Sequence, residues 1–331
     1  MSKLRIVFMG TPLFSVNILK GLTRNYDVVG VVTQPDKEVG RKKEIKFSPV
    51  KEVALAHNIE VIQPLKIRIE FADVLALKPD LIVTCAYGQI IPKEILDYPK
   101  YGCINVHASL LPKLRGGAPI HKAIINGYAK TGITIMEMVE KMDAGDILTY
   151  VETKIEEDDN VGTLHDRLSL LGTKLLLETI PKIINGTITK TKQNEDEVTY
   201  AWNIKREEEL IDFNKTKQEI FNQIRGLNPF PSGYAILEEK EIKIYNSRIG
   251  EHFCNNYMGD DPCNNVKCGE IFVIYDDGIG VCCGDGEIII TEIKISGKKQ
   301  MKVADYLNGT SKNKLLGQVF NEVDGWKKKI Y

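Results

Sequence analysis

A chain of 331 residues has room for about two domains, each large enough to bury its own core. Charged and apolar residues occur in ordinary globular proportions, and the formal net charge of -1 excludes bulk attraction to nucleic acid, so such a partner has to be met by a local basic patch. Seven cysteines, an odd number with no export signal before them, are expected to stay reduced.

The chain opens Met1-Ser2-Lys3-Leu4-Arg5, and the apolar run Ile6 to Met9 is ended by Gly10-Thr11-Pro12 too soon for a signal peptide. No apolar stretch approaches the roughly 20 residues of a bilayer span, so a cytoplasmic protein without a membrane segment is expected. Short β-rich runs then alternate with helix-period segments. Strand Arg5 to Met9 precedes helix Ser15 to Thr23 and strand Asp27 to Thr33. Helix Ser48 to His57 has Ser48 as N-cap and Pro49 at N1, and helix Phe71 to Leu77 leads to strands Leu81 to Ala86 and Cys103 to Val106. This grammar predicts an α/β fold, a Rossmann-like parallel sheet covered by crossover helices. A G-x-G-x-x-G turn is missing after the first strand, which argues against a dinucleotide-binding oxidoreductase. Thr163-Leu164-His165-Asp166 reads as a capping box opening a long helix through Leu168, Leu171, Leu175 and Ile180. That helix is expected to close a first domain, residues 1–188.

From Thr187 to Glu209 the chain is polar outside Tyr200-Ala201-Trp202, and residues 189–209 are expected to form a linker lying over a surface. Residues 210–331 form the expected second domain. Helix Lys215 to Arg225 precedes strands Tyr234 to Leu237, Glu241 to Tyr245, Glu270 to Tyr275, Gly280 to Cys283 and Glu287 to Ile295. Turns at Asp277-Gly278 and Asp285-Gly286 predict hairpins and a small OB-like β-barrel. His252, Cys254, Cys263 and Cys268 match no common zinc spacing, so this stretch is read as an inserted hairpin loop and no metal is expected. His57, His121 and His165 fall in helical segments and receive no function.

In open α/β sheets ligands bind beyond the carboxyl ends of strands, and the strand Cys103 to Val106 runs into Asn105-Val106-His107-Ala108. Two residues apart, Asn105 and His107 share one strand face, an amide donor beside a titratable imidazole. The pair suits acyl transfer: the amide stabilises an oxyanion, while the imidazole accepts a proton from an attacking amine or helps hold the developing charge. Asp143, after the strand Thr131 to Met138, is expected to complete the set, with Asp146 as rival carboxylate.

Asn105 to Pro112, Arg115-Gly116-Gly117-Ala118-Pro119, Met142-Asp143-Ala144-Gly145-Asp146, Phe8-Met9-Gly10-Thr11-Pro12 and Ala86-Tyr87-Gly88-Gln89-Ile90-Ile91-Pro92 together resemble the folate-dependent formyltransferase family. The resemblance runs over nearly the whole chain. It implies that Asn105, His107 and Asp143 are catalytic and that Ser109, Leu110, Leu111 and Pro112 contact the tetrahydrofolate. It further implies that loops around Tyr87, Gly88, Gln89, Ile90 and Ile91, and around Val139 to Asp143, hold the pterin, largely through backbone groups. The implied reaction moves the formyl group of 10-formyltetrahydrofolate to the amino group of initiator methionyl-tRNA, on a monomeric enzyme. The family's use of a matching loop on the tRNA acceptor end makes Arg41, Lys42 and Lys43, within Gln34 to Pro49, expected tRNA contacts. Lys205, Arg206, Lys298, Lys299 and Lys302 are candidate phosphate contacts. Two other readings share parts of this pattern. A formyltransferase or formyl-folate hydrolase for a small-molecule amine would need the Asn-His-Asp centre but not the basic loop and barrel, and a non-enzymatic RNA-binding protein the reverse.

Overall fold

The computed structural model describes residues 4–40, 43–252 and 266–322. The chain divides into two compact units, one of Met1–Ile120, Lys130–Lys154 and Leu164–Asn203, the other of His121–Ala129, Ile155–Thr163 and Ile204–Tyr331.

The chain passes through β1 (Arg5–Gly10), α1 (Phe14–Asn25), β2 (Asp27–Val32), β3 (Lys37–Val39), β4 (Glu44–Lys46), α2 (Pro49–Ala56), β5 (Val61–Ile62) and α3 (Ala72–Ala76). It continues through β6 (Leu81–Cys85), α4 (Lys93–Leu96), β7 (Cys103–His107), α5 (Pro119–Ile125), β8 (Lys130–Glu137), β9 (Ile147–Lys154) and α6 (Val161–Ile184). The sheet of the first unit has the order β5-β2-β1-β6-β7-β8-β9. Its first five strands are parallel, as the alternating grammar predicts. Two antiparallel strands, β8 and β9, extend one edge. Ile6 to Met9 and Leu81 to Cys85 are buried throughout, the continuous apolar pattern of strands covered on both faces. Ser15 at the start of α1 donates to the Cys85 carbonyl at 2.6 Å, so its burial leaves no orphan hydroxyl.

One local expectation holds and two are refined. Ser48 does cap α2, accepting the Lys51 amide at 3.1 Å. The long loop before it holds a β-hairpin, β3 on β4, whose base is closed by Thr33 against Ser48 at 2.8 Å and by Lys51 on Asp36 at 2.5 Å. The cap of α6 lies one turn earlier than Thr163. Asn160 accepts the Thr163 amide at 3.0 Å and Thr163 Oγ1 accepts the Asn160 amide at 3.1 Å, a reciprocal box for which Thr163 is the third helical residue.

The second unit contains α7 (Arg206–Glu209), α8 (Lys217–Leu227), β10 (Gly233–Leu237), β11 (Lys240–Ile249), β12 (Ile271–Ile274), β13 (Ile279–Cys283), β14 (Gly286–Ile295), β15 (Met301–Lys302), α9 (Val303–Asn308) and α10 (Lys312–Leu315). Its strands are antiparallel in the order β10-β11-β14-β13-β12, with β15 added on β14. The gap between β10 and β12 is bridged by the segment 318–321. Ile271 N donates to Gln318 O and Phe320 N to Gly269 O, both at 2.8 Å, while Asn321 N donates to Ile236 O at 2.7 Å. That segment satisfies both edge strands, as closure of a barrel does. Ile220 and Ile224 of α8 pack with Ile244, Ile288, Ile290 and Val281 in the core beneath.

Candidate active site

The asparagine and the histidine come from β7, between β6 and β8. Thr84 is the strand neighbour of Asn105 on one side and Met136 on the other. The Thr84 hydroxyl, buried, donates to Asn105 Oδ1 at 3.0 Å, an acceptor that shares the hydroxyl's one hydrogen with Met138 Sδ at 3.0 Å and the Ile104 carbonyl at 3.2 Å. With its oxygen held, the carboxamide turns Nδ2 away, and that nitrogen has no protein acceptor among the described residues. An amide donor held in this way needs no reorganisation to meet a developing negative charge.

His107 is buried, and its Nε2 lies 3.0 Å from the Leu114 carbonyl. A carbonyl only accepts, so Nε2 carries a hydrogen in either charge state, and Nδ1 is the ring position at which a proton comes and goes. Nδ1 faces Asp143 Oδ2 at 3.8 Å, longer than a hydrogen bond but close enough for the carboxylate to stabilise an imidazolium. Asp146 shows no such approach; its backbone carbonyl accepts the Glu137 amide instead.

Both contacts depend on three residues, Leu114 to Gly116. Leu114 supplies the carbonyl for His107, and the Gly116 amide donates to Asp143 Oδ2 at 2.8 Å. Leu114 and Gly116 have φ of 61° and 123°, and a β-carbon on Gly116 would lie 2.7 Å from the Ala201 carbonyl oxygen, so only glycine fits there. Strand-like pairing holds this backbone: Arg115 N donates to Thr199 O at 2.9 Å and Ala201 N to Arg115 O at 2.7 Å.

Asp143 itself has φ of 49°, unusual for a residue with a side chain, and is held from behind by Gln193. Gln193 Nε2 donates to the carbonyls of Asp143 and Gly145 at 2.8 and 2.7 Å, and its Oε1 accepts from Arg115 Nε and Nη2 at 3.0 and 2.8 Å. Arg115, fully buried, also reaches Glu195 at 2.8 Å, and Lys141 meets the other oxygen of that carboxylate at 2.7 Å. The Arg115 and then the Lys141 hydrogen bonds pull the Glu195 carboxyl down to about 2. A depressed carboxylate contributes stability above its unfolded pKa and loses it as pH falls through the folded one, so this anchor persists well below pH 4. Gln193, Glu195, Thr199 and Ala201 all lie in the stretch read from sequence as a linker. Nothing in its polar composition separates the residues that grip the site from those in solvent.

The segments assigned to folate divide by environment. Tyr87 and Ile91 are buried in the core with Val7, Met9 and Ile82, and the Tyr87 carbonyl accepts from Thr11 at 3.1 Å and Gln34 at 3.0 Å. The Tyr87 hydroxyl is buried with no hydrogen-bond partner among the described residues, and burial raises its pKa. Gly88 has φ of 90°. Gln89 binds the Ile67 amide at 2.9 Å, fastening the turn 64–67 to this loop, while Ile90 is exposed. Lys66, Arg68, Ile69, Gln89 and Ile90 line a pocket of about 330 Å³, with Leu65 and Ile69 mostly in solvent. Farther on, Ser109 donates to Lys113 O at 2.6 Å and Thr134 donates to Ser109 O at 2.7 Å, leaving Leu110, Leu111 and Pro112 in a turn braced by β8.

The basic residues are spread more widely. Arg41 and Lys42 lie outside the described residues, as do Cys254 and Cys263, and Lys43 at the hairpin tip is exposed with Glu38 at 3.6 Å. Arg206 pairs with Glu209 and Glu241 and stacks on Tyr234 at 3.7 Å, so its guanidinium is already engaged. Lys298, Lys299 and Lys302 are exposed with no carboxylate partner among the described residues, while Lys205, also exposed, donates its backbone amide to Glu208 at 3.0 Å. Among those residues no His, Cys, Asp and Glu side chains gather as a metal site, and no helix is long and apolar enough to cross a membrane.

Residues 4–180 match the family model for formyl transferase and residues 203–311 the model for the formyl transferase C-terminal domain. The chain is 55% identical over 309 residues to the methionyl-tRNA formyltransferase of Bacillus subtilis (strain 168), covering 92% of this chain and 94% of that one. It superposes with TM-score 0.62 and 23% identity on the N-formyltransferase of Helicobacter canadensis in complex with folinic acid and dTDP-3-aminofucose, over 87% of this chain and 98% of that one. HypX from Aquifex aeolicus in complex with tetrahydrofolic acid matches with TM-score 0.62 and 19% identity over 92% of this chain, which spans about half of that protein (47%).

Proposed function

This chain belongs to the formyl transferase family, and on that premise we propose that it moves the formyl group of 10-formyltetrahydrofolate to the amino group of initiator methionyl-tRNA, as a cytoplasmic monomer serving translation initiation. The observation that carries the choice of acceptor is identity of 55% across 94% of a relative named for methionyl-tRNA.

The acceptor amine attacks the formyl carbon, forming the new C–N bond as the carbonyl electron pair moves to oxygen. Asn105 Nδ2, its oxygen tied to Thr84, donates to that oxyanion. His107 Nδ1 takes the proton shed by the attacking nitrogen, and Asp143 steadies the resulting imidazolium. Collapse breaks the bond to the folate N10, which leaves with the electron pair and receives the proton back from His107.

On the donor side, Tyr87 to Ile91 and Val139 to Asp143 would hold the pterin through backbone groups, beside Ser109 to Pro112. The pocket of Lys66, Arg68, Ile69 and Ile90 suits the aryl-glutamate end, an aromatic ring ending in carboxylates, because apolar and cationic side chains stand together there. Arg68→Ala is expected to raise KM for the folate about tenfold with kcat unchanged. On the acceptor side, Lys43, Lys205, Lys298 and Lys299 would meet phosphates, with Arg41, Lys42 and Arg206 beside them in sequence.

The test is formyl transfer to charged initiator methionyl-tRNA, with elongator methionyl-tRNA and free methionine as parallel acceptors. Transfer to the initiator alone is expected. Transfer only to a small amine would instead favour the small-molecule reading.

A further inference from the structure

Tyr200, Ala201 and Trp202 alternate as a strand does, with Ala201 fully buried and the two aromatic residues outward. Tyr200 is 46% and Trp202 57% exposed, and their rings stack nearly parallel, 5° apart in plane with centroids at 5.0 Å. Each ring covers one face of the other, and about half of each residue is left to water. Two large aromatic residues held flat in solvent cost hydrophobic free energy that packing inward would have recovered.

Their place in the chain ties them to the catalytic loop. Tyr200 pairs across Arg115, and Ala201 N donates to the Arg115 carbonyl at 2.7 Å. Arg115 lies between the carbonyl that binds His107 and the amide that binds Asp143. The stacked pair is therefore carried on the strand that braces the catalytic loop. An aminoacyl-tRNA brings its reacting amine on the terminal ribose of a single-stranded end. An amine delivered to His107 thus places the unpaired terminal bases within a nucleotide or two of the catalytic loop. Bases of a single strand bind proteins by stacking on exposed aromatic faces, tolerant of sequence because every base has a π-face.

We propose that Tyr200 and Trp202 form a stacking platform for the unpaired 3′-terminal bases of the aminoacyl-tRNA acceptor. This rests on the acceptor reading above. It separates the work of holding the end, done by ring faces beside the site, from the charge contacts made by lysines elsewhere.

Trp202→Ala is expected to raise KM for initiator methionyl-tRNA about tenfold with kcat at saturation unchanged, and Trp202→Phe to restore most of the loss. The chain has two tryptophans, so Trp326→Phe isolates Trp202 as a reporter. Charged tRNA should quench its fluorescence, and an acceptor-stem duplex lacking the single-stranded 3′ end should not. Either an unchanged KM in Trp202→Ala or an unquenched Trp202 overturns the platform while formylation by the unmutated enzyme continues. Absence of formylation by the unmutated enzyme would overturn the acceptor reading instead.

Discussion

Asn105→Ala is expected to lower turnover roughly 100- to 1,000-fold with little change in KM for either substrate, the loss seen when one oxyanion donor is removed. Among the described residues the side chain makes one hydrogen bond, accepted from Thr84 through its oxygen, which leaves the amide nitrogen as its working end. Truncation removes a contact made only as charge develops, which is why kcat should carry the loss. The contact from Thr84 gives a graded companion. Thr84→Val keeps the buried shape but frees the carboxamide to rotate, and should cost about fivefold in kcat, the worth of roughly one ordinary hydrogen bond. Thr84→Ser should recover it. Combined with Asn105→Ala, Thr84→Val should cost nothing further, because the group it orients is gone. Near-normal turnover in Asn105→Ala would remove the oxyanion role.

The second large effect is expected at Gln193, which holds the Asp143 loop from behind. Gln193→Leu removes two donors from the carbonyls of Asp143 and Gly145 and the acceptor of the buried Arg115. Each buried polar group left unpaired costs about 1 to 3 kcal/mol, and several do so here. The loop bearing Asp143 already holds a left-handed backbone at that residue, so losing its anchor should let it relax. Expected are a fall of roughly 5 to 10 °C in Tm and a tenfold or greater loss in kcat. A purely structural role would lower Tm alone, with kcat of the folded enzyme unchanged below the transition. A positioning role for His107 and Asp143 should lower kcat well below the transition with KM for both substrates unchanged, and Gln193→Glu, which can still accept from Arg115, should recover Tm more than kcat. Full turnover in folded Gln193→Leu would show that Asp143 needs no help from Gln193.

Much of this was legible beforehand because it rests on local physics. The apolar runs Ile6 to Met9 and Leu81 to Cys85 are strands in any context that buries both faces, and Ser48-Pro49 starts a helix with its own side chain and ring. The turns at Asp277-Gly278 and Asp285-Gly286 likewise separate strands β12, β13 and β14 as read. The cap of α6 was displaced because Asn160 and Thr163 present the same box as Thr163 and Asp166, and only the course of the chain selects between them.

By itself the sequence determined the strand-end pair Asn105 and His107, since a period of two puts them on one face wherever the strand lies. Only the tertiary structure decided what reaches them. Strand β8 runs antiparallel to β7, so Glu137 ends beside Ile104, and the following loop has to fold back for Asp143 to reach His107. That return is held by Gln193 and by the Leu114 to Gly116 turn with its Arg115, segments that lie tens of residues from each other and from Asp143 along the chain. Periodicity reports only which way neighbouring side chains point. Hydrogen bonds between distant segments leave no periodic trace, so the partners that orient Asn105, His107 and Asp143 emerge only when the chain is folded.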